Sequence, residues 1–167
     1  SGTTGWLAHK PELDLLAIEK NGAFFYASNY SIGVNIFFKV NEYLAKLMNE
    51  TSGYEVVIEE IHHTEKKDAP SGTAITLAEG IIDSHSTFSN WHLGNYKKED
   101  VSSLPILSKR IDPAPGTHII NYSSAIDSIE ITHTAHSREG FAMGAILVAE
   151  WIQGKKGVLS MDDFLSF

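Results

Sequence analysis

Residues 55–82 read EVVIEEIHHTEKKDAPSGTAITLAEGII, and the order of residue types in this stretch sets out a strand, a charged loop and a helix. Glu55 to Ile61 is rich in Val and Ile, as expected of a buried or half-buried strand. Pro70 biases Ala69 away from helical geometry, Ser71 is a good N-cap, and Ala74, Ile75, Ala78, Ile81 and Ile82 recur at helical spacing. Between strand and helix lie His62, His63, Lys66, Lys67 and Asp68, so proton donors, cations and helix N-terminal N–H groups share one short segment. The amides near Gly72 and Thr73 stand at the positive end of a helix dipole, suited to a carboxylate or phosphate, and Gly72 lets a ligand approach closely. Successive side chains of an extended chain point to opposite faces, so His62 and His63 do not chelate one metal together; with no cysteine and no helical His spacing, no metal site is expected. Taken alone, a charged run before a capped helix is more often wetted surface than a site.

Working outward, Lys10 to Asn21 is predicted to be a short helix with Pro11 in its first turn and Gly22 at its C-cap, followed by a strand at Ala23 to Ala27. Ser31 or Asn29 caps a longer helix whose Ile36, Phe37, Val40, Leu44 and Leu47 form one stripe. Gly53 turns the chain into the strand of the opening stretch. Trp91 to Val101 reads as a polar, irregular loop, and three strands follow near 104–111, 117–123 and 128–136. In the last, Ile129, Ile131, His133 and Ala135 share one face and Glu130, Thr132, Thr134 and His136 the other. Phe141 to Gln153 reads as a core helix ending at Gly154. The fold class expected is α+β: a mixed, mostly antiparallel four-stranded sheet with two long helices on one face.

The chain has 167 residues, enough for an unaided core, since chains near this length bury roughly 70% of their unfolded surface. A net charge of −8 with no basic stripe argues against a nucleic-acid partner. With no Cys and no apolar run of membrane-spanning length, the expected setting is cytoplasmic, with no membrane partner.

The string EIHHTEKKDAPSGTA at 60–74 closely resembles the signature of the dihydrodipicolinate reductase family, roughly ExxExHHxxKxDAPSGTA. Glu60, His62, His63, Lys66, Asp68, Ala69, Pro70, Ser71, Gly72, Thr73 and Ala74 match; Val57 stands where the pattern has an earlier glutamate. SGTTGW at 1–6, ASNYSIGVN at 27–35 and IEITHTAHSREGFAMGA at 129–145 are similar to three further segments of that family. RIDPAPGTH at 110–118 keeps the spacing of its RxGxxxGxH stretch, with Asp112 in place of a glycine that shapes the local turn.

The resemblance implies the reductase of lysine and diaminopimelate biosynthesis, in which NADPH or NADH reduces dihydrodipicolinate (4-hydroxy-tetrahydrodipicolinate) to tetrahydrodipicolinate. It implies catalysis by His62 and Lys66, with substrate carboxylates held by His63, Ser71, Gly72, Thr73 and Arg138. Gly2, Thr3, Thr4, Ala27, Ser28, Asn29 and Tyr30 would contact the nicotinamide end of the cofactor. The family begins with a Rossmann half, yet no GxGxxG fingerprint occurs here, so the chain is expected to be a fragment with its main cofactor-binding half elsewhere. Residues 1–30 would be hinge and remnant of that half, 31–138 the substrate-binding and oligomerisation domain, and 139–167 a helix and tail that return to the Rossmann half. A homotetramer is implied as the assembly. The rival readings are a non-catalytic dicarboxylate-binding module and a related two-domain dehydrogenase.

Overall fold

The structure, a computed structural model, describes residues 1–3 and 5–167. Its contacts fall into two compact units, one of Ser1–Asn35 with Glu139–Phe167 and one of Ile36–Arg138.

The second unit carries the five-stranded sheet. The strands are β2 (Glu55–His62), β3 (Asn90–Leu93), β4 (Ser103–Arg110), β5 (Thr117–Ser123) and β6 (Ser128–Thr134), in the order β3-β4-β2-β5-β6. β2 runs parallel to β4 and antiparallel to β5, β3 and β4 are parallel, and β5 and β6 antiparallel. The α+β class holds, with two differences of detail: five strands instead of four, and a sheet half parallel instead of mostly antiparallel. Both have one origin. The helix after β2, α3 (Gly72–Ser84), is a crossover that returns the chain parallel to β2. The extra strand, Asn-Trp-His-Leu, overlaps the start of the stretch read as loop, where an alternation only four residues long is too short to stand out from the polar residues that follow.

The inner faces of these strands make the core. Val56, Ile58, Glu60 and His62 alternate as the buried positions of β2, matched by His118, Ile120 and Tyr122 of β5. Ala74, Leu77, Ala78 and Ile81 of α3 are fully buried. The other long helix, α2 (Ile32–Asn49), packs on α3 through Asn41, whose Nδ2 donates to the Leu77 carbonyl at 2.9 Å. The buried side of α2 is Phe37, Phe38, Asn41, Ala45 and Met48, whereas Ile36, Val40 and Leu47 of the expected stripe are exposed by 46, 45 and 51%. This helix is apolar on two sides, so periodicity alone did not say which one the core takes. Ser31 provides the cap, its Oγ accepting from Val34 N–H at 3.4 Å while Asn29 Oδ1 accepts from Ser31 N–H at 2.9 Å.

In the first unit, α1 (Lys10–Glu19) has Pro in its first turn, as expected. It closes at Lys20, and Asn21 (φ 52°), not Gly22, takes the left-handed position. β1 (Ala23–Phe25) pairs in parallel with β7 (Gly157–Leu159), which the sequence reading missed along with α5 (Met161–Leu165). Phe25, Ala27, Val148 and Met161 form a buried cluster with Tyr30, Trp151 and Phe164 around it. Within α4 (Glu139–Trp151) only Gly144 and Val148 are buried, and Met143 and Ile146 are 57 and 54% exposed. The expectation of a plain core helix there is therefore corrected: a narrow seam of α4, with Trp151 at its end, meets this unit's core, while Met143 and Ile146 face outward.

Candidate functional site

The site of the second unit is built by strand register. Glu60 lies opposite Ser108 on β4 and His118 on β5, and His62 lies opposite Arg110. Because facing residues of paired strands share a face, these side chains converge at one end of β2 without needing to be near in sequence.

Glu60 is fully buried and densely satisfied. Its carboxylate accepts from the Ser71 amide (3.1 and 3.0 Å to the two oxygens), the Ser108 hydroxyl (2.7 Å) and Arg110 (3.4 and 3.5 Å). Burial works to raise its pKa, but the hydrogen bonds from Ser71 and Ser108 together with His62 hold it below the usual carboxylate range. The His62 pKa is lowered too, by burial that disfavours the imidazolium against the opposing pull of Glu60. Its Nδ1 stands 3.4 Å from Glu60 Oε2 and has no hydrogen bond among the described residues. Its Nε2 faces Gly116 (φ +156°), where a Cβ would stand only 3.2 Å away, so glycine there keeps that nitrogen clear.

His118 Nε2 lies 3.2 Å from Ser71 Oγ, which in turn accepts from the Ala74 amide and so caps α3. Burial, then His62, push the His118 pKa down to about 4. The linkage sign follows: an unfolded histidine titrates near 6.5, so the unfolded chain takes up the extra proton between those values. Stability is complete above about pH 6.5 and falls as pH drops towards 4, by about 3 kcal/mol at most. Urea unfolding at pH 7 and pH 4.5 should show this loss in the parent chain and a shallower one in His118→Gln; equal slopes would remove His118 as its source.

The loop 63–70 is held at both ends. Arg110 donates to the carbonyls of Lys66 (3.2 Å) and Asp68 (2.6 Å), and Lys66 Nζ binds both oxygens of Asp68 at 2.8 and 2.7 Å. That pairing with Lys66 is the main reason the Asp68 carboxyl titrates low. Asp112, in the position of the family's glycine, accepts from the Thr64 amide (3.0 Å) and hydroxyl (2.7 Å), so the turn closes with a side chain where it would otherwise rely on glycine. Val57 lies on the opposite face of β2 from Glu60, away from this chemistry.

The structure thus brings His62 and Ser71 together and places Lys66 beside them through Arg110. Ser71 is spent on the cap and the cluster. Gly72, the next residue, is exposed with open space where a Cβ would be, and Thr73 is half-buried in the first turn of α3. His63 points away from His62, within electrostatic reach of Asp112. Arg138 is exposed and makes no bond to the cluster among the described residues. Glu60, Arg110, Ser108 and His118 were not picked out from the sequence as site residues. The available signal was Glu60 itself, a charge at a buried-face position of an apolar strand, which demands partners. Among the described residues, Glu60, His62 and His118 are the one group with metal-ligand atoms within 4.8 Å of one another.

In the first unit, the segments expected at the cofactor's nicotinamide end adjoin. Ser1 O accepts from Tyr30 OH (2.9 Å) and the Ala27 amide (3.2 Å), and a Cβ on Gly2 would lie 3.1 Å from the Tyr30 ring. Thr3 and Ser28 are exposed, and Asn29 braces Ser31 and Asn35. Thr4 lies outside the described residues.

Comparison with known proteins agrees with the signature. Residues 33–165 match the family described as dihydrodipicolinate reductase, C-terminus. The chain is 49% identical over 166 residues to a 4-hydroxy-tetrahydrodipicolinate reductase of Christiangramia forsetii, covering 99% of this chain and 68% of that protein. It is 36% identical over 165 residues to the enzyme of the same name from Desulfovibrio desulfuricans, covering 93% of this chain and 61% of that one. Among solved structures it is similar to the dipicolinate-bound dihydrodipicolinate reductase from Paenisporosarcina sp. TG-14, with a TM-score of 0.75, 22% identity, and coverage of 98% of this chain and 63% of that one. At that identity the likeness speaks to the fold. The chain therefore spans about two thirds of the length of these relatives.

Proposed function

Because the chain belongs to the dihydrodipicolinate reductase C-terminal family, we propose that it forms the substrate-binding and assembly part of an NAD(P)H-dependent 4-hydroxy-tetrahydrodipicolinate reductase acting in lysine and diaminopimelate biosynthesis. The observation that carries this reading is the convergence of His62, the Lys66 loop and the N-terminus of α3 on one buried carboxylate, Glu60. A planar dicarboxylate needs cations and amide donors, and the α3 first turn at Gly72 and Thr73 with His63 and Lys66 supplies both. The nicotinamide, when bound, supplies the hydride. The chain's own residues fit only that end of the cofactor: Gly2, Thr3 and Ala27 to Asn29 offer backbone and small side chains beside the Tyr30 ring, and no GxGxxG loop is present for the pyrophosphate. Lys66, a cationic donor, delivers the proton that quenches charge on the reduced ring, with His62 as adjacent donor or acceptor.

In this reading residues 1–30 and 139–167 adjoin the cofactor-binding half, residues 31–138 hold substrate and make a homotetramer, and the setting is cytoplasmic. No helix among the described residues is long and apolar enough to cross a membrane. Isothermal calorimetry should show pyridine-2,6-dicarboxylate binding to the 167-residue chain, without NAD(P)H turnover. Turnover should appear once the chain is joined to the remaining part of the C. forsetii relative. Absence of dicarboxylate binding, or steady turnover by the chain alone, would overturn the assignment. Light scattering at micromolar concentration should give a mass near four chains, and a strict monomer would remove the assembly part.

A further inference from the structure

We propose that Glu60 is a positioning residue for this reaction: it fixes His62 in the tautomer with its proton on Nδ1, leaving Nε2 as the reacting nitrogen, and through Arg110 it sets the loop that carries Lys66. The inference rests on the functional reading above and assigns a role to a residue outside the expected catalytic set.

The argument begins with cost. A carboxylate at 0% exposure is destabilising unless hydrogen-bonded on all sides, and ion pairs of this kind are weak sources of stability compared with apolar packing. Ile58 and Val56, its neighbours on the same face of β2, show that the position could have been filled by a hydrocarbon. What the carboxylate does that a hydrocarbon cannot is accept from several directed donors at once. Ser71 N–H, Ser108 Oγ–H and the Arg110 guanidinium fill its outer lone pairs. Ser108 and Arg110 go to Oε1, while Oε2, which shares the Ser71 amide at 3.0 Å, is turned towards His62 Nδ1 at 3.4 Å, with His118 Nε2 further off at 3.8 Å.

An ionised carboxylate can only accept, so a buried Nδ1 facing it must carry the hydrogen. Nδ1 makes no hydrogen bond among the described residues and Glu60 Oε2 is the charged atom it faces, so a bare lone pair opposed to the anion would be repelled. Nε2 then carries the lone pair on the Gly116 side, where no Cβ intrudes. The same carboxylate neutralises Arg110, whose remaining donors clasp the Lys66 and Asp68 carbonyls at 3.2 and 2.6 Å. Glu60 thereby sets the orientation of one proton-transfer group and the path of the segment bearing the other.

The groups facing His62 are Glu60 on its own strand, His118 on β5, Arg110 on β4, and Lys66 and Asp68 on the loop. A cation held by Glu60, His62 and His118 is the competing use of this cluster. It would have to displace the Ser71 Oγ contact from His118 Nε2 and sit beside the Arg110 guanidinium, so the geometry favours the relay.

The test reads the tautomer directly. Long-range 1H–15N spectra of the imidazoles in the parent chain should show His62 protonated at Nδ1 in its neutral form, without substrate or cofactor present. Glu60→Gln, whose amide can turn either an N–H or an oxygen to Nδ1, should mix the tautomers and lower the pH midpoint of His62 by removing the facing anion. In the joined reductase Glu60→Gln should lower kcat about 10²-fold, with the KM for substrate changed far less, and shift the pH profile of kcat/KM. A parent chain in which neutral His62 carries its proton on Nε2 overturns the inference even if the variant fails to fold. So does an unchanged tautomer and midpoint in Glu60→Gln, or stoichiometric Zn²⁺ that moves the His62 and His118 signals together. Failure of dicarboxylate binding instead strikes the functional reading and leaves the tautomer result standing.

Discussion

Lys66→Ala in the joined reductase is expected to lower kcat by about 10²–10⁴, the usual effect of losing a positioned general acid. Lys67→Ala should stay near the parent value. The two lysines are adjacent in sequence and opposite in circumstance. Lys66 has only 19% of its side chain exposed, its ammonium is chelated by Asp68 and its carbonyl is gripped by Arg110, whereas Lys67 is exposed. A cation fixed from both its main chain and its tip is preorganised to donate in one direction, and preorganisation is what separates a catalytic lysine from a solvated one. Asp68 must release or share the ammonium when substrate carboxylates arrive, so Asp68→Asn should alter substrate KM more than kcat. If Lys66→Ala and Lys67→Ala prove equally mild in steady-state assays, the proton-donor assignment fails and His62 becomes the leading candidate.

The parts of this site that could be read from the sequence are those fixed by neighbours along the chain. The strand ending at His62, the Ser71 cap and α3 each depend on residues within a few positions, and each is found where periodicity and capping put it. The register between β2, β4 and β5 is different in kind. It brings Ser108, Arg110 and His118 from about fifty residues away to face Glu60 and His62, and a slip of one residue would send every one of them to the other face. No local pattern specifies that pairing. The same limit explains β3, β7 and the chosen side of α2: short parallel strands and a helix apolar on two sides take their places from tertiary partners. Arg110 illustrates the division well, since its spacing within 110–118 was visible while its grip on the Lys66 and Asp68 carbonyls was not.

Gly144→Ala should be among the most damaging single substitutions outside the site. A Cβ at Gly144 would lie 1.8 Å from the Tyr30 carbonyl oxygen and 2.8 Å from its carbon, and both obstacles are main chain. A side chain could rotate away, but here relief requires moving the Tyr30 backbone or α4 itself. Tyr30 is anchored, donating its hydroxyl to Ser1 O at 2.9 Å and lying against Phe25 at 5.7 Å between rings. In an exposed helix interior, replacing glycine by alanine gains about 1 kcal/mol. The clash outweighs that gain, since overpacking that shifts backbone costs typically about 1–3 kcal/mol and occasionally more, and a 1.8 Å approach to main chain belongs at the upper end. Gly140→Ala, in the same helix, is the control: its Cβ would meet Ser31 Oγ at an ordinary 3.8 Å, so the propensity gain should survive. Urea unfolding followed by tryptophan fluorescence can localise the effect, because Trp6 and Trp151 belong to the first unit and Trp91 to the second. With Trp91 mutated to Phe in the background, the midpoint reported by Trp6 and Trp151 should fall sharply in Gly144→Ala and hold or rise in Gly140→Ala. Equal midpoints for the two variants would show that α4 and the Tyr30 carbonyl do not approach as closely as the structure has them.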